Sequence, residues 1–339
     1  MASPLDPSAD ASGRPRRRRR TTRSLVAALL AAGLLAWWLW PVAPPEPRGE
    51  VSFATGVRTG VYERYGGLLK QRLDDELPKV ELELQNSQGS VHNVQRVASG
   101  QTDFTIAAAD AVADYVDRGG RGGRDLRACA RLYDDYIQLI VPADSRVRRA
   151  GDLKGLRVAA GEERSGVNLV AGRLLEAAGL DPEHDLTMVR AGIDRMPKLL
   201  AERKLDAFFW SGGLPTTAVQ RLAERTDIRL VQLGDLVPRL HRQQPETRYY
   251  RSAVMPPDAY PGVQNGEAIK TVAVANLLVT RESTDRATTE GITRSVIRNR
   301  DAIGREVHAA QKVDLRTAIY TDPLPLHRGA EQYYRSAKP

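Results

Sequence analysis

The stretch Val51-Ser-Phe-Ala-Thr-Gly-Val-Arg-Thr-Gly-Val-Tyr62 passes from an apolar strand, through a turn of Gly and Thr, into an amphipathic helix. Two further stretches repeat that order, Leu82-Glu-Leu-Gln-Asn-Ser-Gln-Gly-Ser-Val91 and Val158-Ala-Ala-Gly-Glu-Glu-Arg-Ser-Gly-Val167. A helix N-terminus leaves backbone N–H groups unpaired and carries the positive end of the helix dipole, so each junction attracts an anion. In α/β proteins ligands lie beyond the C-terminal ends of the strands, where such turns converge. Three junctions of this kind point to a protein that holds a small anionic or zwitterionic molecule. They supply no reaction.

Outward from the first junction, Val61, Tyr65, Leu68, Leu69 and Leu73 recur at helical spacing. Residues 80–84 alternate apolar and charged side chains as a strand does. Ser90 is the expected N-cap of a helix bearing Val91, Val94 and Val97, which Gly100 ends. Residues 103–109 form the next strand, giving β-α-β-α-β, the pattern of a mainly parallel sheet. After a Gly/Arg loop at 118–124, strands are expected at 126–133 and 136–142, with Asp134-Asp135 as a solvated turn between them. A second series starts at 155–160: Ser165 caps a helix with Val167, Val170, Leu174 and Leu175, and Gly179 ends it. Strands at 186–190, 206–210, 228–233 and 271–280 alternate with helices at 194–203, 215–225 and 288–310, and a last helix lies near 331. The two halves echo each other, since both 98–103 and 201–206 run from a helix end through an aspartate into an apolar strand. The reading is two similar lobes, 50–135 and 136–250, with 251–339 crossing over and returning helices to the first. Such a pair encloses a cleft and closes about a hinge.

The formal charge of +8 is unevenly placed, with +5 of it in the first 24 residues, where seven arginines face Asp6 and Asp10. The body is nearly balanced and shows no zinc spacing, basic helix or aromatic stripe, so nucleic acid is not the expected partner. Residues 1–23 read as a disordered basic tail. Residues 24–43 contain the apolar run Leu25 to Trp40, with arginines before it and Trp37, Trp38 and Trp40 at its end. That arrangement fits a signal anchor with the body outside the cytoplasm, placing the protein in the membrane by a single transmembrane helix. The alternative is a cleaved signal peptide and a secreted or periplasmic body. Residues 44–49 form a stiff proline-rich linker. Cys129 is the only cysteine, which excludes an internal disulfide, and its Arg-Ala-Cys-Ala-Arg setting reads as a buried strand residue.

At Ala54-Thr-Gly-Val-Arg-Thr-Gly-Val-Tyr62, Gln88-Gly-Ser-Val-His-Asn93, Ala98-Ser-Gly-Gln-Thr-Asp103, Gly151-Asp-Leu-Lys-Gly-Leu-Arg-Val158, Ser165-Gly166, Asp206-Ala-Phe-Phe-Trp-Ser-Gly-Gly-Leu-Pro215 and Tyr260-Pro-Gly262, the chain resembles the TAXI-family solute receptors of TRAP transporters. The resemblance covers residues 50 to 335. It implies an α/β, two-lobed fold like the type II periplasmic binding proteins, with hinge strands, here preceded by the N-terminal transmembrane helix. It also implies capture of a small carboxylate, glutamate-like or dicarboxylate, for a TRAP-type permease. The chain departs from the family at Val57-Arg58, where more glycine is usual, and at Ala108-Ala109, where a polar residue is common.

On the residues themselves, Thr59 and Gly60 offer N–H groups and a hydroxyl to a carboxylate, and Tyr62 a phenol. The plainer role for that turn is helix capping. Arg58 is the candidate clamp, since its fork accepts a carboxylate bidentately. Gln88 and Ser90 form a similar turn, Asp110 is the candidate for a ligand amine, and Ser165 and Gly166 are the candidates from the second lobe. Trp210 and Tyr260 are the aromatic candidates for the cleft wall. No cofactor and no catalysis is expected: the five histidines stand far apart, and neither a Gly-x-Ser-x-Gly elbow nor a Walker A sequence occurs. The function expected is an extracytoplasmic receptor for a small carboxylate or amino acid. The alternative is a membrane-anchored envelope sensor or scaffold on the same fold.

Overall fold

The computed structural model describes residues 46–337, together with Leu30 and Gly33. The basic tail, the remainder of the apolar run and the start of the proline-rich linker lie outside the described residues. Among those described, no helix is long and apolar enough to cross a membrane. The chain opens with β1 (Gly49–Ala54), α1 (Val61–Glu76), β2 (Val80–Gln85), α2 (Ser90–Ser99), β3 (Phe104–Ala108) and α3 (Ala109–Asp117). The long β4 (Leu126–Pro142) leads to β5 (Arg157–Ala159), α4 (Gly166–Ala177), β6 (Thr187–Val189), α5 (Met196–Ala201), β7 (Ala207–Gly212) and α6 (Thr217–Ala223). Then come β8 (Ile228–Val231), β9 (Tyr250–Met255), β10 (Ile269–Arg281), α7 (Arg286–Arg298) and α8 (Arg328–Ser336), with short helical turns between them.

Helical spacing works as the sequence indicates. Tyr65, Leu69 and Leu73 of α1 are fully buried one turn apart, and each such side chain contributes roughly 1.5–3 kcal/mol. Gly100 takes φ +79° at the end of α2, a left-handed conformation that favours glycine there. The strands run β2-β1-β3-β10-β4-β7-β5-β6, with β8 beside β4 and β9 beside β10. β2, β1 and β3 are mutually parallel, as are β6, β5 and β7. Between these two groups lie β4 and β10, which are antiparallel to each other and to their outer neighbours.

Two hydrophobic cores follow. Phe53, Tyr65, Phe104 and Ile106 pack with Ile292, Val296 and Tyr334, so the C-terminal helices return to the first lobe. Val158, Leu174, Phe208, Phe209 and Ile140 centre the core of the second. A further cluster of Val94, Val97, Val112 and Leu277 covers the other face of the first sheet.

One expectation is corrected here. The stretch expected as two strands with Asp134-Asp135 as a solvated turn is the single strand β4, and Asp135 lies inside it at 4% exposure. Its first part pairs β10 in the first lobe, and its last residues pair β7 and β8 in the second. The crossing strands therefore join the lobes at Asp134–Tyr136, opposite Ala273–Ala275. The register with β4 shifts between Ala275 and Leu277, where Leu132 and Tyr133 of β4 stand opposite Asn276, while Asn276 keeps its pairing with Ala108 of β3; a bulge of this kind bends the strand that carries the extra residue.

Candidate functional site

The tips of α2 and α4 meet across the cleft. Gly89 precedes α2 at φ +120°, and a Cβ there would stand 3.3 Å from the Cα and Cβ of Ser165. A Cβ on Gly166, the first residue of α4, would lie 3.1 Å from Ser90 Oγ and 3.2 Å from its Cβ. Both glycines are needed for so close an approach of two turns. The turns also bond to each other: His92 N–H donates to the Arg164 carbonyl at 3.1 Å, and Arg164 Nε donates to Gln88 Oε1 at 2.6 Å. Ser165 is the N-cap of α4, accepting from Asn168 N–H at 3.0 Å. The N-cap of α2 is Gly89 rather than the expected Ser90. Ser90 Oγ accepts from Ala108 N–H at 3.1 Å and lies 3.0 Å from the Tyr62 phenol. Asn93, one turn on, donates to the carbonyls of Thr55 and Ile106 at 2.6 and 3.1 Å, pinning α2 to the ends of β1 and β3.

Between these tips is a cavity of about 70 Å³, lined from the first lobe by Gly60, Tyr62, Gln88 and Ser90 and from the second by Ser165, Gly166 and Trp210. That is room for on the order of five water-sized groups. Two helix dipoles of opposite lobes point their positive ends at this small space.

The wall between the lobes is made by the crossing strands. Asp135 Oδ2 accepts from Ser211 Oγ at 3.2 Å, and both residues line the cavity. Asp135 Oδ1 is buried, with the otherwise unpaired Asn276 amide as its neighbouring donor. Burial pushes the carboxyl up to about 7, with hydrogen bonds from Ser211 and Asn276 acting against that rise and the charges of Asp134 and Asp110 adding to it. Tyr62 donates to Asn276 Oδ1 at 2.5 Å, so α1, α2 and β10 are tied together through one phenol. Trp210 donates through Nε1 to Thr216 Oγ1 at 3.2 Å. Thr216 in turn is held by Gln138 and by Tyr260, whose phenol accepts from Thr216 N–H at 2.8 Å and donates to Gln138 Oε1 at 2.9 Å.

The residues singled out from sequence separate into three places. Gly60, Tyr62, Gln88, Ser90, Ser165, Gly166 and Trp210 line the cavity. Arg58 and Thr59 do not: they are exposed and face a neighbouring cavity of about 670 Å³, with Arg221 and His308 opposite. Gly60 and Trp210 stand between the two spaces. Asp110 and Tyr260 line neither. Tyr260 is 2% exposed and acts behind Trp210 as described. Asp110 is fully buried: its Oδ2 accepts from the Tyr250 phenol at 2.7 Å with the Arg173 guanidinium 3.8 Å away, and its Oδ1 is buried without a partner. Sequence reasoning missed Asp135 and Ser211. The available signal for Asp135 was a carboxylate inside an apolar run long enough to be one strand.

Among the described residues, no group of three potential ligands is placed to hold a metal. Cys129 is fully buried, and burial pushes its thiol far up, the setting of a structural rather than a reactive cysteine.

The model of the NMT1-like family matches residues 53–337. Among solved structures, a putative L-cystine ABC transporter protein from Listeria monocytogenes is similar at a TM-score of 0.50 and 12% identity, over 78% of this chain and 98% of that one. The periplasmic aliphatic sulphonate binding protein SsuA from Escherichia coli is similar at 0.48 and 13%, over 86% and 84%. A binding protein component of an ABC phosphonate transporter from Pseudomonas aeruginosa is similar at 0.49 and 13%, over 79% and 80%. At such identities the likeness is one of fold alone, here to the Listeria protein's, and the fold of this chain is α/β and two-lobed.

Proposed function

We propose that this chain, which belongs to the NMT1-like family, is an extracytoplasmic receptor that takes a small carboxylate-bearing solute between its lobes and delivers it to a membrane permease. The observation that carries the reading is the meeting of α2 and α4, one from each lobe, with both N-termini at one small cavity. A carboxylate placed there receives backbone N–H groups from both lobes at once, so the bound state favours closure. The two-lobed fold supports the receptor role without naming a solute. The resemblance of residues 54–62, 98–103 and 206–215 to the TAXI receptors makes a TRAP-type permease the expected partner. The apolar run at residues 25–40 is the proposed attachment to the membrane.

A thermal-shift screen of the full chain against carboxylates, amino acids and keto acids tests this. A solute at a hundredfold excess over its Kd stabilises by about 2.7 kcal/mol, a visible rise in Tm. The expected result is a hit that Gly166→Leu abolishes, by filling the space against Ser90, and that Arg58→Ala, facing the other cavity, retains. A hit that Arg58→Ala abolishes and Gly166→Leu keeps would move the site to the larger cavity. No hit among small carboxylates would count against the reading.

A further inference from the structure

We infer that the solute carries a protonated nitrogen, which Asp135 receives, so that the cavity selects a small zwitterion such as an α-amino acid over a dicarboxylate or a keto acid. This rests on the receptor reading above and narrows it.

The first support is the charge of the lining. Asp135 and Glu162 face the cavity, and no lysine, arginine or histidine does. A second carboxylate on the solute would therefore meet acids and no cationic side chain. The second support is Asp135 itself. It is 4% exposed, Ser211 occupies one of its oxygens, and the other is buried with only the neutral amide of Asn276 beside it. An isolated buried carboxylate is costly unless a donor or a cation completes it.

The fold has cations close by and spends them elsewhere. Strand alternation turns Asp134 to the opposite face from Asp135. There Asp134 is paired with Arg131 at 2.7 Å and with Arg251. Arg173, the buried arginine of α4, is taken up by Asp114 at 2.8 Å. The donors beside Asp135 are the neutral Ser211 hydroxyl and Asn276 amide, so the cation that would balance its charge is one that comes with the solute.

The geometry is that of a dipole receptor. The N-termini of α2 and α4 form the pole for a carboxylate, and Asp135 forms the pole for an ammonium group in the wall of the same cavity. An α-amino acid carries both charges a few bonds apart. With room for on the order of five water-sized groups, the cavity as it stands matches glycine or alanine. Glutamate, roughly twice that size, needs the lobes further apart.

Isothermal titration of the full chain at pH 8 with matched probes tests the inference. The probes are alanine against lactate and pyruvate, and glutamate against 2-hydroxyglutarate and 2-oxoglutarate. The expected result is that the amino member of a pair binds roughly tenfold or more tightly than its deaminated partners. Asp135→Asn, near-isosteric and checked by its own melting curve, should bring the two to similar affinity. Deaminated acids that bind the unaltered chain as tightly as their amino partners would overturn the inference and leave the receptor reading standing. Preference for the amino acid that persists in Asp135→Asn would overturn the assignment to Asp135. Failure of every carboxylate to bind would remove the receptor reading and the inference with it.

Discussion

A carboxyl group held in a wall of strands without a cation resists ionisation, and Asp135 does so up to about 7. An unfolded aspartate titrates near pH 3.9, so between roughly pH 4 and 7 the native state keeps a proton that the unfolded chain has released. Stability therefore falls as pH rises through that window, by up to about 1.4 kcal/mol per unit, and the cost is complete above about pH 7. The groups around the carboxyl are Ser211 on β7, Asn276 on β10, Tyr62 on α1, Tyr133 and Asp134 on β4, and Asp110 on α3, with Glu162 across the cavity. None is a cation. Asp135→Asn is accordingly expected to melt higher than the unaltered chain at pH 8, by roughly 2–4 °C for each kcal/mol recovered, with the gap closing towards pH 5. Melting curves of the two proteins across that range check it, and a constant gap would show that ionisation of Asp135 is not its source. The same residue is the one assigned to the solute's nitrogen, so the stabilising substitution is also the one expected to lose selectivity.

At the scale of elements, α3 of the first lobe is bound to α4 of the second by a buried arginine. Arg173, 5% exposed, reaches Asp114 at 2.8 Å and the Tyr250 phenol at 3.1 Å, with Asp110 beyond. Removing one member of such a network strands the others, at a cost of about 3–5 kcal/mol. Arg173→Met should therefore lower Tm by on the order of 10 °C at pH 8, and an unchanged Tm would show that the lobes are held by other contacts. The helices were legible from sequence because burial repeats with their own period, as Tyr65, Leu69 and Leu73 do. The strand-to-helix turns were legible because Gly89, Ser165 and Gly166 are residue types that such turns require. β4 was not, because a pair of aspartates in an apolar run carries the local signature of a turn. Only the neighbouring strands β7 and β10 make it a buried strand. A charge that breaks the local pattern is characteristic of a functional position. The side on which a residue faces was equally hidden. Nothing local turns Arg58 and Thr59 outward, or puts Asp110 against Tyr250, a residue 140 positions away in the chain.

For the whole molecule, two parallel sheets are joined through β4 and β10, and the proposed solute site sits where those strands pass from one lobe to the other. Contacts from both lobes at one cavity mean that a solute is bound fully only when the lobes are together, which couples occupancy to shape. In the proposed role, a permease would have a closed form to recognise. Cys129 is fully buried, so exposed cysteines introduced at Asp75 on α1 and Glu224 at the end of α6 can be spin-labelled selectively. The distance between those labels, measured with and without the solute that raises Tm, is the most direct test of capture between lobes. The expected result is a broad distribution in the free chain that narrows and shortens when solute is added. A distribution that stays the same while the solute binds would contradict it, because binding would then not draw on both lobes.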